Sequence, residues 1–321
     1  MRRINFYKKV IQRIKSAVKA CRIPKSFSKK KNNVFSNEQH IIMQVVMQLE
    51  KKRVRDMPAF LMLLYYELKL PRIPHFTTIN KFRMRIKQSW LETMIAKLVR
   101  NHEATLVAID GTGFSLNNRS PYFCTIAGER KQFMQCVAAA DVKKRLFTAV
   151  RLRRKKRNEN IDVPYLMKQS SKQLQITAFL GDRGFDSEKN HEQAIKLKTK
   201  FIAPLRKHTD KFHRIRGANR KKLARKFPSE TYHQRSIIEG LFSAIKRRFG
   251  YQVYAKKFKA QKNELLFRII AYNTEVIVNN SHGIIYFLQD LFSNIRNSCF
   301  FLETNNVIYE RFYFLLVANK D

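Results

Sequence analysis

The chain has 321 residues, of which 44% are apolar and 12% aromatic, a composition that can fill a core and argues against general disorder. Its 65 Lys and Arg against 24 Asp and Glu give a net charge of +41, so we expect a polyanionic partner, nucleic acid first and an anionic membrane second. No apolar run reaches the ~20 residues that a spanning helix needs and no secretory signal is visible, so we expect neither a membrane protein nor a secreted one.

The four cysteines are scattered along the chain and form no CxxC pair. We interpret them as reduced thiols of a cytoplasmic protein, because neither a disulfide framework nor a zinc site has this spacing. The eight histidines form no HxH or HxxxH pair. The phosphate-binding loop pattern GxxxxGK[ST] does not occur in the sequence. We therefore expect no nucleotide cofactor.

Residues 1–35 contain twelve Lys and Arg and no acidic residue. Apolar residues at Val10, Ile11, Ile14 and Val18 allow a basic helix that continues as far as Pro24. We interpret the segment as a basic arm that lies on a phosphate backbone, and a solubilising tail is the alternative.

Helical signals begin at Ser36, which forms a capping box with Gln39 before apolar residues at helical spacing. Three more helices are predicted, over 56–68, over 78–87 with Thr77 as its cap, and over 89–100. Short helices with a basic third member are typical of a helix-turn-helix arrangement, although many helical bundles show the same pattern. The candidate base contacts are the polar residues that we expect on the exposed side of the third helix: Asn80, Lys81, Arg83 and Arg85.

Strand patterns follow from residue 104. Strands are predicted over 104–109, 133–140, 146–152, 176–180 and 201–204, and helices over 162–173, 188–197 and 261–279. The alternation predicts an α/β domain.

Two acids in this acid-poor chain follow predicted strands. Asp110 and Asp182 each come at the end of an apolar segment and beside glycines, where a sheet delivers side chains to a site. If Glu239 joined them, three carboxylates would repel one another unless a divalent cation bound between them, and Mg²⁺ prefers such oxygen ligands. Each aspartate taken alone is also explained as an ordinary turn residue before glycine.

In the segment 232–246, basic residues lie on both sides of Glu239. A continuous helix would place Tyr232, Arg235, Glu239 and Lys246 within about a 60° sector, opposite an apolar face. That face could hold a metal and grip a phosphate. The alternative is a solvated face with an Arg–Glu pair at i, i+4.

Taken together, Asp110-Gly-Thr-Gly, the Gly181–Ser187 segment and the Tyr-x2-Arg-x3-Glu-x6-Lys pattern at 232–246 resemble the DDE transposases of prokaryotic insertion sequences. The most similar group is the one named for insertion sequences four and five, and the resemblance covers about 100–280. It implies a ribonuclease H-like core, which is a mixed five-stranded sheet flanked by helices. It also implies DNA cleavage at element ends and joining of the 3′ ends to target DNA, with Mg²⁺ as the cofactor and Mn²⁺ able to substitute.

By position in those motifs, Asp110, Asp182 and Glu239 correspond to the metal-binding catalytic acids. Tyr232, Arg235 and Lys246 correspond to residues that handle DNA near the cleaved end. Phe185 stands where many members have Tyr. The 57-residue interval from Asp182 to Glu239 is short and lacks the β-rich insertion of some members, which leaves the route of second-strand cleavage open.

The predicted organisation has four parts. It comprises a basic arm (1–35), a helical DNA-binding domain (36–102), a catalytic domain (103–280) and an extension to which we assign no role (281–321). We expect a cytoplasmic, nucleoid-associated protein that dimerises on the terminal inverted repeats of its element and captures target DNA. A ribonuclease H-like nuclease without strand transfer and an inactive DNA-binding remnant are the alternatives.

Three expectations concern side-chain geometry. The three acids should converge closely enough to share a metal pair. Asp186 should support the turn after Asp182 rather than join the acids. Arg235 and Lys246 should contact DNA phosphates rather than pair with Glu239.

Overall fold

The computed structural model describes residues 2–27, 34–99, 103–116, 121–128, 132–154, 158–206 and 212–299. These residues divide into two compact units, one within Met1–Val276 and the other within Ile277–Asp321. No helix among them is both long and apolar enough to cross a membrane.

The described residues before 100 form five α-helices. They are α1 (Arg2–Ala20), α2 (Asn37–Leu49), α3 (Met57–Leu61), α4 (Phe76–Arg85) and α5 (Gln88–Leu98). The helix predicted before Pro24 is α1, whose apolar residues Val10 and Ile14 are fully buried while Lys8 and Arg13 are exposed. Because α1 packs against α2 and α5, residues 2–20 form part of the folded body. Contact of its charged face with phosphate stays a prediction.

Some of the predicted helix boundaries are confirmed and others are wrong. The capping box of α2 is confirmed, because the Ser36 hydroxyl accepts the Gln39 N–H and the Gln39 side chain accepts the Ser36 N–H. The helix expected over 56–68 is wrong in length, since α3 tightens into a 3-10 turn at Met62–Leu64. The cap of α4 is His75 rather than Thr77, and its imidazole accepts the Thr77 N–H.

A mixed five-stranded sheet follows, as predicted. Its strands are β1 (Ala104–Ser115), β2 (Phe133–Asp141), β3 (Leu146–Arg153), β4 (Gln175–Gly181) and β5 (Lys200–Ile202). The spatial order is β3-β2-β1-β4-β5, in which β1–β2 and β2–β3 are antiparallel and β1–β4 and β4–β5 are parallel. With helices packed against its strands, the sheet has the ribonuclease H-like arrangement.

The first strand is longer than its apolar pattern indicated. It was predicted to end at 109, yet pairing with β2 continues through Gly111↔Val137 and Gly113↔Gln135 to Ser115. Cross-strand pairing therefore overrides the turn preference of the Gly-Thr-Gly segment. As a result, Asp110 lies inside β1 rather than at its end.

Within the described residues, seven further α-helices connect or follow the strands. They are α6 (Pro121–Ile126), α7 (Val163–Ser170), α8 (Glu188–Lys196), α9 (Ala218–Arg225), α10 (Ser229–His233), α11 (Ile237–Phe249) and α12 (Phe258–Cys299). Within the predicted extension 281–321, the described part is the continuation of α12 to Cys299, and residues 300–321 lie outside the described residues.

A buried charge cluster links α4 to α12. Arg83 is only 5% exposed and donates to Glu264 (3.3 Å) and to Gln44 (3.1 Å). Arg268 donates to the other Glu264 oxygen at 2.7 Å. Burial lowers the pKa of both guanidinium groups, and the Glu264 charge opposes that shift.

The cluster corrects one candidate DNA contact. We expected Arg83 on the exposed side of its helix together with Asn80, Lys81 and Arg85. The other three are exposed, but Arg83 points into the body because Glu264 and Gln44 there satisfy its donors. It is therefore a structural residue.

The cluster predicts a large stability effect. Glu264→Gln should lower the free energy of unfolding by about 3–5 kcal/mol, because two buried guanidinium groups lose their shared countercharge. The matched control is Glu275→Gln, also on α12, whose pair with Arg248 is partly solvated and should contribute less than about 1 kcal/mol. Denaturant titration of both variants measures the difference, and equal losses would contradict the assignment.

Candidate active site

Strand register brings two of the predicted acids together. In the parallel β1–β4 pair, Ile109 lies opposite Gly181. Asp110 and Asp182, the residues that directly follow them, are therefore neighbours across the two strands. Neighbouring strands are ~4.8 Å apart. The Asp110 carboxylate accepts the Gly111 N–H at 2.8 Å. The pairing of strands far apart in sequence thus produces the side-by-side aspartates.

Glu239 approaches from the helix α11. The apolar residues Ile238, Leu241 and Ile245 of this helix are buried, and α11 packs against β1. Glu239 is exposed on the other side and lines one groove together with Asp110, Thr112 and Lys246. The apolar face of α11 is therefore buried, as its amphipathic pattern predicted, and Glu239 faces the groove.

The single continuous helix that we expected over 232–246 is wrong. Tyr232 lies in α10, Arg235 in a 3-10 turn at Gln234–Ser236, and Glu239 and Lys246 in α11. A 3-10 turn winds more tightly than an α-helix, so the angular offsets of an ideal helix do not apply before residue 237. The motif residues still face a common region, because Arg235 reaches Asp110.

Arg235 lies between two of the acids. Its guanidinium donates to Asp110 at 3.2 Å and to Glu239 at 2.5 Å. This contradicts our expectation that Arg235 would not pair with Glu239. The physical reason is that two carboxylates face one groove. The guanidinium of arginine has several N–H donors in a fixed planar arrangement, so it can donate to both. Tyr232 lies beside this guanidinium, with its ring centroid 6.0 Å away.

Lys246 has a different environment. Its ammonium donates to the Thr112 hydroxyl at 2.6 Å and lies 5.5 Å from the Phe114 ring centroid. Thr112 is two residues after Asp110 and so shares its face of the strand. No carboxylate among the described residues pairs with Lys246. Its charge therefore remains available to an anion beside Asp110.

Asp182 and Asp186 make different contacts, and the catalytic role expected of Asp182 stays a prediction. Asp182 caps the 3-10 turn Arg183–Phe185, and its carboxylate accepts the Phe185 N–H at 3.2 Å. The buried Asp186 carboxylate accepts from the Arg220 guanidinium at 2.8 and 2.6 Å and from the Arg206 N–H at 2.8 Å. Asp186 thus ties the turn to α9.

Asp182 and Glu239 lie near enough to Asp110 to act on it electrostatically, but the three acids do not form a tight cluster. Burial raises the pKa of Asp110, the nearby Asp182 and Glu239 charges raise it further, and the Gly111 N–H and Arg235 oppose them. Within the described residues, no three Asp, Glu, His or Cys side chains lie close enough to hold a metal ion. The predicted convergence is therefore wrong for this structure, because Arg235 occupies the space between Asp110 and Glu239. The ligand type nevertheless fits a metal, because carboxylate oxygens are the ligands that a hard divalent cation prefers.

The structure adds residues that sequence reasoning missed. Glu159, at the start of a 3-10 turn, packs its carboxylate over Gly111 so closely that a Cβ there would clash with it. Glu159 also accepts from Gln135 at 2.9 Å. This contact gives a steric reason for the glycine after Asp110. The groove itself, of about 470 Å³, includes Arg247 and Tyr251, which no motif indicated.

Residues 101–274, more than half of the chain, match the family described as the transposase DDE domain. The chain therefore belongs to that family, whose members use divalent metal ions.

One solved structure similar to this chain is a cryo-EM structure of the piggyBac transposase in a synaptic complex with hairpin DNA. The identity is 10% and the TM-score 0.46, over 94% of this chain and 82% of that one. No curated protein sequence matches the chain.

The raised pKa of Asp110 predicts how stability depends on pH. A carboxyl whose folded-state pKa is raised disfavours folding once it ionises, so stability falls as pH rises through that pKa. Asp110→Asn removes this group, and the variant should be more stable than the parent at pH 7. The gain should shrink as acid protonates the parent. Thermal unfolding across pH measures it, and a variant less stable at pH 7 would refute the prediction.

Proposed function

We propose that the protein is a DNA transposase that cuts phosphodiester bonds at the ends of its mobile element and joins the 3′ ends to target DNA. The observation that carries the proposal is the register of β1 and β4, which puts Asp110 beside Asp182 in a family whose chemistry depends on such acids. The Tyr-x2-Arg-x3-Glu-x6-Lys pattern supports membership of the group named for insertion sequences four and five.

Asp110, Asp182 and Glu239 are the residues that would hold Mg²⁺, with Mn²⁺ able to substitute. The metal held by these residues would supply activation of the attacking oxygen and stabilisation of the leaving oxygen. For this to occur, Arg235 must give up its two carboxylates. A phosphate of the DNA offers Arg235 a planar, bidentate anion in exchange, so substrate and metal would bind cooperatively.

Lys246 would hold a phosphate near the scissile bond. Its ammonium is anchored to Thr112, on the strand face that carries Asp110. The Thr112 hydroxyl is neutral, so it leaves the positive charge of Lys246 uncompensated. Tyr232, packed against Phe227 at 5.2 Å between ring centroids, would orient Arg235.

The helical segment 36–102 would select the element ends. Sequence preference requires side chains that reach base edges, and Asn80, Lys81 and Arg85 are the exposed candidates on α4. The basic face of α1 would add phosphate contacts. We further propose that the protein dimerises on the terminal inverted repeats and acts at the nucleoid in the cytoplasm.

The direct test uses labelled end DNA. With Mg²⁺, we expect a nick that leaves a 3′-hydroxyl at the element end and, with target plasmid present, joined products. A chelator should abolish both. Nicks without joined products would favour the simple nuclease, and the absence of both would favour a binding remnant.

The division of labour between the two aspartates gives a matched pair of variants. Asp182→Asn should abolish end cleavage while leaving the melting temperature nearly unchanged. Asp186→Asn should lower stability, because Arg220 loses its countercharge, yet retain cleavage per folded molecule. Cleavage rates normalised to the folded fraction separate the two. Loss of chemistry only in Asp186→Asn would exchange their roles.

Lys246→Ala should reduce end cleavage at least about 10-fold, the rate equivalent of ~1.4 kcal/mol, while stability changes by no more than about 0.5 kcal/mol. The control is Lys172→Ala, which removes an equal charge from an exposed site where the ammonium donates to the Gln169 side chain. If both variants cleave at the parent's rate, Lys246 does not hold the substrate.

The role of α4 is tested by Lys81→Ala combined with Arg85→Ala. We expect preference for end DNA over random DNA to fall while the nicking of pre-bound ends continues. Competition binding at fixed salt measures the preference, because affinity for DNA depends steeply on salt. An unchanged preference would place end recognition elsewhere.

A further inference from the structure

The segment Gly250–Ala255, which we call the groove loop, directly follows α11. Gly250 ends that helix with φ 87°, in the left-handed region that glycine tolerates. The next residue, Tyr251, lines the groove together with Asp110, Glu239 and Lys246, and 62% of it is exposed. The groove therefore has an accessible aromatic ring within the same cavity as two of the acids.

The backbone on one side of this ring is fixed by β1. The Ser115 N–H donates to the Tyr251 carbonyl at 3.0 Å, and the Val253 N–H donates to the Ser115 carbonyl at 2.9 Å. Ser115 is the last residue of the strand that carries Asp110. The position of Tyr251 is thus set relative to the acids by direct hydrogen bonds.

The other side of the groove loop is fixed by the buried charge cluster. Arg268 donates to the carbonyls of Gly250 and Gln252 at 2.9 and 2.6 Å. Glu264 accepts the N–H groups of Tyr254 and Ala255 at 3.1 and 3.0 Å. Arg268 and Glu264 are 1% and 2% exposed. These four hydrogen bonds come from buried charged groups, which tolerate few alternative geometries, so the groove loop is held in place although its tyrosine is exposed.

The groove has the chemistry of a nucleotide site. Lys246 and Arg247 supply positive charge for phosphate, and Tyr251 supplies a flat apolar wall. A base in a duplex hides its faces by stacking, whereas an unpaired base offers a face to an aromatic ring. A ring held in advance loses little entropy when it stacks.

We propose that Tyr251 stacks on an unpaired nucleobase of the DNA strand adjacent to the scissile phosphate. This inference rests on the proposed function, since it assumes that the groove receives DNA. It assigns a substrate contact to a residue outside the Tyr-x2-Arg-x3-Glu-x6-Lys pattern.

The test compares two tyrosines of the same loop. Tyr254 is 69% exposed and is not among the described residues that line the groove, so Tyr254→Ala is the matched control. The probes are a full duplex of the element end and the same duplex with 2-aminopurine unpaired beside the cleavage position. Binding is measured in Ca²⁺, with unchanged melting temperatures verifying the fold of each variant.

In the parent, stacking should quench the 2-aminopurine fluorescence. Tyr251→Ala should abolish the quenching and weaken binding of the unpaired probe roughly 5- to 150-fold, the range for loss of one stacked base, with duplex binding unchanged. Tyr251→Phe, which keeps the ring, and Tyr254→Ala should both behave like the parent.

Three results would overturn the inference: quenching retained in Tyr251→Ala, equal losses in Tyr251→Ala and Tyr254→Ala, or no preference of the parent for the unpaired probe over the duplex. Failure of the proposed function appears separately, as absence of nicking by the parent in Mg²⁺. The binding measurements in Ca²⁺ do not depend on that outcome.

Discussion

The central strand β1 is the element on which the site depends. It pairs in antiparallel fashion with β2 along one edge and in parallel with β4 along the other. The parallel register places Asp110 beside Asp182, and the alternation of side chains places Thr112, the anchor of Lys246, on the same face. The end of the strand, Ser115, holds the backbone of Tyr251. One strand therefore positions an acid, a cation and an aromatic ring relative to one another.

Competition for negative charge governs the groove. The chain has a net charge of +41, and in the groove the guanidinium of Arg235 bridges Asp110 and Glu239. The same guanidinium suits a phosphate diester. Exchange of Arg235 between carboxylates and phosphate would make the site receptive to divalent cations only when DNA is present. Such coupling would limit cleavage without a bound substrate.

The buried cluster of Arg83, Glu264 and Arg268 connects two regions with different proposed tasks. Arg83 belongs to α4, which carries the candidate end contacts Lys81 and Arg85. Arg268 and Glu264 hold the groove loop beside the acids. Because ion pairs with so little exposure tolerate few alternative geometries, the cluster fixes the orientation of α4 relative to the groove.

The sequence by itself determined most of the elements and singled out the acids as candidates for the site. Apolar runs, glycines and a capping box located most helices and strands. The scarcity of acids drew attention to Asp110, Asp182 and Glu239. These signals are local, because each depends only on neighbouring residues. A local pattern could not decide where β1 ends, since pairing with β2 carries that strand through two glycines.

The tertiary structure alone decided which partners the charged residues take. Arg83 and Arg85 look equivalent in sequence, but only Arg83 meets a buried carboxylate, 181 residues later in the chain. Arg235 pairs with Asp110 across 125 residues, and Tyr251 enters the groove through contacts made by Ser115 and Arg268. Such contacts depend on which distant segments the fold brings together, and no local spacing encodes them.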